Sequence, residues 1–175
     1  GNVLINNLDI KVNVQAEISG ILFLEKCRNL TITGLTIERT VFKLSSSPVF
    51  YMSGKDITIS NAKIAGSGVL VKESGEKNII LIDDARNVNF ENNIFFKNTI
   101  TNTILYKIEA QINFVNMKDS DGLVSVKNEI IHRNTINANF SQYKLAFVNY
   151  VYLKVQDQIG VTMTNISIES NFFDK

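Results

Sequence analysis

Three eight-residue segments of this chain follow one template: Val3-Leu4-Ile5-Asn6-Asn7-Leu8-Asp9-Ile10, Leu30-Thr31-Ile32-Thr33-Gly34-Leu35-Thr36-Ile37 and Ile57-Thr58-Ile59-Ser60-Asn61-Ala62-Lys63-Ile64. Each reads apolar, polar, apolar, polar, then Asn or Gly, a small or apolar residue, polar, apolar. Asn7, Gly34 and Asn61 share one template position and are 27 residues apart, a period typical of stacked-repeat architectures. Alternation with period two argues a strand with one face inward, and the Asn or Gly argues a tight corner leading into a second strand.

Further copies are read at Val88-Asn89-Phe90-Glu91-Asn92-Asn93-Ile94-Phe95, Ile112 to Met117, Ile131 to Ile136 and Ile166 to Phe173. Aligning residues 92, 116, 133 and 170 with the first three gives spacings of 31, 24, 17 and 37, a drift that variable loops would produce. The corner positions are Asn7, Gly34, Asn61, Asn92 and Asn116. Apolar stretches precede most copies, as at Ile21-Leu22-Phe23-Leu24 and Val49-Phe50-Tyr51-Met52. Each coil then holds three strands, and equivalent strands stack at roughly 4.8 Å. The expected fold is all-β, a right-handed parallel β-helix (solenoid) of about seven coils, with residues 1–175 forming a single segment of a larger protein. An antiparallel β-sandwich is the rival, but the Asp-Gly step at Asp121-Gly122, the turn a tight hairpin would want, falls between copies rather than inside them. The best helical candidate, Asp83 to Arg86, is too short to nucleate alone.

Composition sets limits. With 18 basic and 17 acidic residues the formal charge is +1, so no strong field draws nucleic acid or anionic lipid. No apolar run approaches the ~18 residues that span a bilayer, and Gly1-Asn2 leads straight into strand-like sequence without a leader pattern. Cys27 is the single cysteine, which excludes an internal disulfide and a thiolate cluster built from this chain. Asn-x-Ser/Thr acceptors stand at Asn29, Asn139 and Asn165 and suit an extracellular protein.

The pattern resembles the pectin lyase-like superfamily, whose right-handed β-helices repeat short copies such as Asn-Leu-Thr-Ile-Thr-Gly-Leu-Thr-Ile, as residues 29–37 do here. The resemblance covers nearly the whole chain and implies architecture rather than activity. Phe90-Glu91-Asn92-Asn93 and Phe95-Phe96-Lys97-Asn98 are similar to the Phe-x-x-Asn half of the repeat of polymorphic outer-membrane proteins, without its Gly-Gly-Ala-Ile half. Asn93, Asn134 and Asn171 are expected at equivalent inward or corner positions, where stacked amides bond along the coil axis.

Catalytic signals are sparse. Polygalacturonase-type hydrolysis would require clustered carboxylates with Gly-His-Gly and Arg-x-Lys motifs, and neither motif occurs. Asp83-Asp84 is the one adjacent acidic pair, and His132, beside Arg133, reads as structural. Lyase chemistry would require calcium carboxylates and a basic arginine. Of Arg28, Arg39, Arg86 and Arg133, only Arg86 is near an acidic pair, so Asp83, Asp84 and Arg86 form the one weak catalytic alternative. Asp119-Ser120-Asp121-Gly122 opens like a calcium loop but lacks the later ligands and reads as a turn. Lys72 to Lys77 reads as a loop excursion.

The sequence therefore points to a structural or adhesive module of a large extracellular or cell-surface protein, without catalysis and without cofactor or metal. Further coils or subunits are expected at its ends. The alternatives are a polysaccharide lyase or glycoside hydrolase of the same fold, and a non-catalytic carbohydrate-binding β-helix for which Tyr143, Tyr150 and Tyr152 would supply an aromatic row.

Overall fold

The computed structural model describes residues 2–10, 20–44, 47–71, 75–102, 110–137, 147–155 and 160–174. Every element among them is a β-strand, and every pairing is parallel. The chain visits three sheets in rotation. The first round holds β1 (Val3–Asn6) and β2 (Asp9–Ile10); the second β3 (Leu22–Thr33), β4 (Thr36–Glu38) and β5 (Val41–Leu44); the third β6 (Phe50–Ser60), β7 (Lys63–Ala65) and β8 (Gly68–Val71). The fourth holds β9 (Gly75–Glu91), β10 (Ile94–Phe96) and β11 (Thr99–Asn102), and the fifth β12 (Ala110–Lys127), β13 (Ile130–His132) and β14 (Thr135–Asn137). The sixth holds β15 (Phe147–Val155), β16 (Gly160–Thr164), β17 (Ser167–Glu169) and β18 (Phe172–Asp174).

The first sheet runs β1-β3-β6-β9-β12-β15, with β16 also beside β12; the second runs β2-β4-β7-β10-β13-β17, and the third β5-β8-β11-β14-β18. Parallel strands need crossovers, and here each crossover is the passage through the other two sheets. Antiparallel pairing, the basis of the sandwich alternative, is absent among the described residues. The described strands make six rounds rather than the seven expected.

The corners explain the template. Asn7, Asn61, Asn92, Asn128 and Asn165 all have φ between 52° and 60°, and Gly34 takes the sixth place with φ 67°. Asn and Gly tolerate this left-handed region because Gly lacks a Cβ and the short Asn amide bonds locally. A second corner follows five residues on, at Arg39, Gly66, Lys97, Arg133 and Ser170, again with positive φ.

Asn116 is not a corner. It lies inside β12, in register with Leu81 of β9 and Tyr152 of β15, and the corner of that round is Asn128. Arg133 and Ser170, aligned with first corners in the sequence, occupy the second corner instead. The confusion has a physical source: both corners follow apolar-polar-apolar strands, so the two half-repeats look alike locally.

The apolar stretch ahead of each copy does not form a strand of its own. It fuses with the first motif strand into the long strands β3, β6, β9 and β12, each interrupted by positive-φ residues near its middle and by a register shift. Bulges of this kind bend a strand without ending it. Gly54 sits at one of them with φ 129°, where a Cβ would strike the backbone of Cys27 in the adjacent strand. The Asp83–Arg86 candidate helix is likewise the bent middle of β9. In the second to sixth rounds a short third-sheet strand follows the second corner.

The core lies between the sheets. Partner positions stack into columns such as Ile5-Ile32-Ile59-Phe90-Val126-Met163 and Ile10-Ile37-Ile64-Phe95-Ile131-Ile168. In the middle rounds these side chains are almost fully buried. Phe95 packs against Phe90, Phe114 and Tyr150, with ring centroids at 6.5, 5.6 and 5.8 Å.

Candidate functional site

The weak catalytic trio does not converge. Asp83, Asp84 and Arg86 fall on the bend of β9, where Asp84 has φ 48°. Asp83 stands in register with Lys118 and near Tyr51, whose phenol is raised by burial and then by the Asp83 charge. Arg86 turns instead toward Asp121, Nε to Oδ1 4.0 Å, with both side chains more than half exposed. Such a pair is solvent-screened and contributes little.

Asp119 and Gly122 form the corresponding bend inside β12, with φ 50° and 76°, so this stretch is the bent middle of a strand rather than the turn its sequence suggests. A Cβ at Gly122 would lie 2.5 Å from Asn87 Oδ1. His132 is partly exposed on the second sheet, its ring 5.9 Å from that of Phe96. Among the described residues no three His, Cys, Asp or Glu side chains gather as a metal-ligand set.

The aromatic row divides. Tyr143 lies outside the described residues. Tyr150 stacks on Phe114 at 5.0 Å inside the core, its hydroxyl buried without a partner and its phenol raised by burial. Tyr152 shares a register column with Asn116, Leu81, Tyr51 and Phe23. The stacked pair Phe23–Tyr51, centroids 5.7 Å apart, forms the other end of that column, with Phe23 50% exposed.

A polar groove lies on the outer face of the first sheet, with a volume of about 320 Å³. Its floor is Thr58, Asn89 and Ser125, which are adjacent in register across β6, β9 and β12. Asp56, Asn87 and Leu123 line one side and Lys127 the other. Asn87 braces that wall, donating from Nδ2 to Asp56 Oδ1 at 2.7 Å and accepting from the Leu123 amide at 3.2 Å. Ser125 Oγ is buried with no hydrogen-bond partner, an unsatisfied group that a bound polar molecule could satisfy. Neither Asp83, Asp84 nor Arg86 reaches this groove.

Amides form columns, as expected, but the members differ. The buried column at the second corner is Thr40, Ser67, Asn98, Asn134 and Asn171. Each backbone N–H donates to the side-chain oxygen of the next round: Thr40 to Ser67 Oγ at 3.3 Å, Ser67 to Asn98 at 3.1 Å, Asn98 to Asn134 at 2.9 Å and Asn134 to Asn171 at 3.0 Å. Asn93 belongs instead to the first corner, where its Oδ1 accepts from the Ala62 amide at 2.8 Å and its Nδ2 donates to Glu129 Oε1 at 3.2 Å. A further cluster joins Glu76, Asn78, Asn113 and Asn116, with Asn116 Nδ2 donating to Glu76 Oε1 at 2.8 Å and Asn78 Oδ1 at 3.1 Å. Asn29 and Asn165 are exposed, and their Nδ2 atoms donate to Asn2 and Asn128, so a glycan there would share a nitrogen already engaged. Asn139 lies outside the described residues.

Glu129 is an ionisable group that the sequence did not single out. It sits one place after the corner Asn128, fully buried, with Oε2 unpartnered. Burial pushes its carboxyl up to about 8, against the hydrogen bonds from Asn93 and with a smaller push from Glu91. Because the folded value is raised, its stabilising contribution is complete below about pH 4.5 and is lost as pH rises through about 8. Glu129→Gln should remove that loss. Between pH 5 and 9 the native chain should fall relative to the variant by on the order of 2–4 kcal/mol in denaturant unfolding. Parallel pH curves would show that Glu129 is not held protonated.

No protein-family model, curated protein or solved structure matches the chain.

Proposed function

We propose that the chain is a right-handed parallel β-helix of the pectin lyase-like kind that serves as a structural or adhesive module of an extracellular or cell-surface protein, without catalysis of its own. Right-handedness follows from the strong preference of parallel crossovers. The observation that carries the reading is continuity. Apolar columns run through every round and side-chain hydrogen bonds link the corners of successive rounds, as amide to amide in the later ones, while among the described residues the acidic and basic side chains on the outside do not gather into an acid–base or metal-binding constellation. Such a stack offers stiffness and a long lateral face. Further coils or subunits at its ends, and glycans at Asn29, Asn139 or Asn165, belong to this proposal.

The polar groove favours a second reading, a non-catalytic carbohydrate-binding β-helix. Thr58, Asn89 and Ser125 offer hydrogen-bonding groups one strand spacing apart, roughly 4.8 Å, and Leu123, 67% exposed, offers an apolar edge. Both readings meet in one experiment. The purified chain is incubated with neutral and acidic polysaccharides, and binding and chain cleavage are followed together. No cleavage is expected. Binding that falls at least tenfold in Asn89→Leu would assign the groove, whereas cleavage abolished by Asp83→Asn or Arg86→Ala would overturn the non-catalytic reading.

A further inference from the structure

Just inside the first corner runs a column that is apolar except at two places. Leu8, Leu35, Ala62, Asn93, Glu129 and Ile166 each follow a corner residue with positive φ. The four apolar members lie in the core or pack against it. Asn93 and Glu129 interrupt them with polar groups that are 1% and 0% exposed. These two are each other's partners, Asn93 Nδ2 donating to Glu129 Oε1 at 3.2 Å, while Asn93 Oδ1 accepts from the Ala62 amide at 2.8 Å. Glu129 Oε2 meets no donor, and the side chain of Ile166, next in the column, has none to give.

A carboxyl in this position suits one protonation state. Ionised, it would be a charge in the interior with one oxygen bare, which is strongly unfavourable until water reaches it. Glu91, at the end of β9, is the charge that acts on it, and its sign is the same. Lys63, Lys127, His132 and Glu169, the titratable groups near it on β7, β12, β13 and β17, are exposed or partly exposed, and none offsets that push. The elements that would have to move are short. β10, β13 and β17 have three residues each, whereas β9 and β12, which lead into the corners, have 17 and 18. At the corner the Ile130 N–H donates to the Asn93 carbonyl at 3.0 Å and the Ser167 N–H to the Glu129 carbonyl at 2.9 Å. Opening of such a segment costs less than unfolding of the whole stack.

We propose that Glu129 is a proton-operated latch: neutral, it holds the fourth, fifth and sixth rounds together at the first corner, and on losing its proton to water it releases β13 from β10 and β17 while the first sheet stays closed. In the open form the carboxyl is solvated and titrates at its ordinary 4.5, whereas in the closed form it titrates at about 8. The latch is therefore fully effective below about pH 4.5; the open fraction rises about tenfold per pH unit between the two values and levels off above about 8. The inference goes beyond the proposed function and stands or falls separately from it.

Hydrogen exchange of the full chain from pH 5 to 9, corrected for the intrinsic pH dependence of amide exchange, tests it. In the native chain the segments 93–96, 129–132 and 166–169 should lose protection by about tenfold per pH unit up to about pH 8, while β6 keeps its protection. Glu129→Gln, which keeps the shape and cannot ionise, should give a flat profile at all three segments. Glu129→Leu, which restores the residue type of Leu35, should be flat as well, so the comparison does not hang on one variant. Corner protection that ignores pH in the native chain overturns the proposal, as does a slope that survives in either variant. Loss of protection in β6 in step with the corner also overturns it, because the release would then be global unfolding.

Discussion

Phe95→Ala should lower the unfolding free energy by about 3–5 kcal/mol, the largest loss expected from any single side chain here. Phe95 is 1% exposed and sits at the centre of the second sheet, in register with Ile64 and Ile131. Its ring meets Phe90 from the same round and Phe114 and Tyr150 from the next two. Truncation removes contacts in three rounds at once, and the parallel strands on both sides hold their spacing, so the cavity cannot close. The control is Phe23→Ala on the outer face. Phe23 stacks on Tyr51 but is half exposed, and about 1 kcal/mol or less is expected. Urea unfolding of both variants measures the difference, and equal losses would mean that Phe95 is not packed as described.

The second large effect is expected at Asn134. This side chain, fully buried, accepts from the Asn98 amide and donates to the Phe95 carbonyl at 2.9 Å and to Asn171 Oδ1 at 3.0 Å. Asn134→Ala leaves the buried Asn98 N–H without its acceptor and takes one donor from the Phe95 C=O, which stays paired in the ladder with β13. At ~1–3 kcal/mol for the unsatisfied N–H and about 1 kcal/mol for a lost hydrogen bond, a loss of about 2–4 kcal/mol is expected. Asn128→Gly at the exposed first corner is the comparison. Glycine accepts φ 55° without strain, and only exposed amide contacts are lost, so less than about 1 kcal/mol should follow. A larger loss at Asn128 than at Asn134 would reverse the roles assigned to the two columns.

Much of the architecture was legible because the stacked block has constant length. From Leu30 to Phe42, Ile57 to Val69, Val88 to Ile100, Val124 to Ile136 and Val161 to Phe173, the first strand, both corners and the third-sheet strand keep the same offsets. All variation in period lies between these blocks, in the stretch leading into the first sheet. The template stays in phase with this block through its first four copies, to Asn92. It loses phase at Asn116 because Ile112-Asn113-Phe114-Val115-Asn116 carries the same alternation while lying in the fused upstream part of β12, which puts the later template positions, Arg133 and Ser170, one corner late.

The candidate groups were less legible. Thr58, Asn89 and Ser125 are ordinary outward polar positions in the sequence, and only pairing across three strands turns them into a groove floor. Glu129 reads as another charged residue after an Asn. Its offset from the corner matches that of Leu35 and Ala62, both buried, and this was the one available signal. Asp83, Asp84 and Arg86 were grouped by nearness along the chain, but alternation and the bend of β9 part them.

What the sequence determined by itself is the all-β character, the parallel repeat and the placement of Asn and Gly where the backbone must turn, because hydrophobic period and left-handed φ tolerance are local properties. The tertiary structure alone decided which half-repeat follows which corner, that two apparent strands are one bent strand, and which polar side chains meet. Those outcomes depend on lateral register between segments about 27 to 37 residues apart, and register is set by the simultaneous burial of whole columns rather than by any one segment.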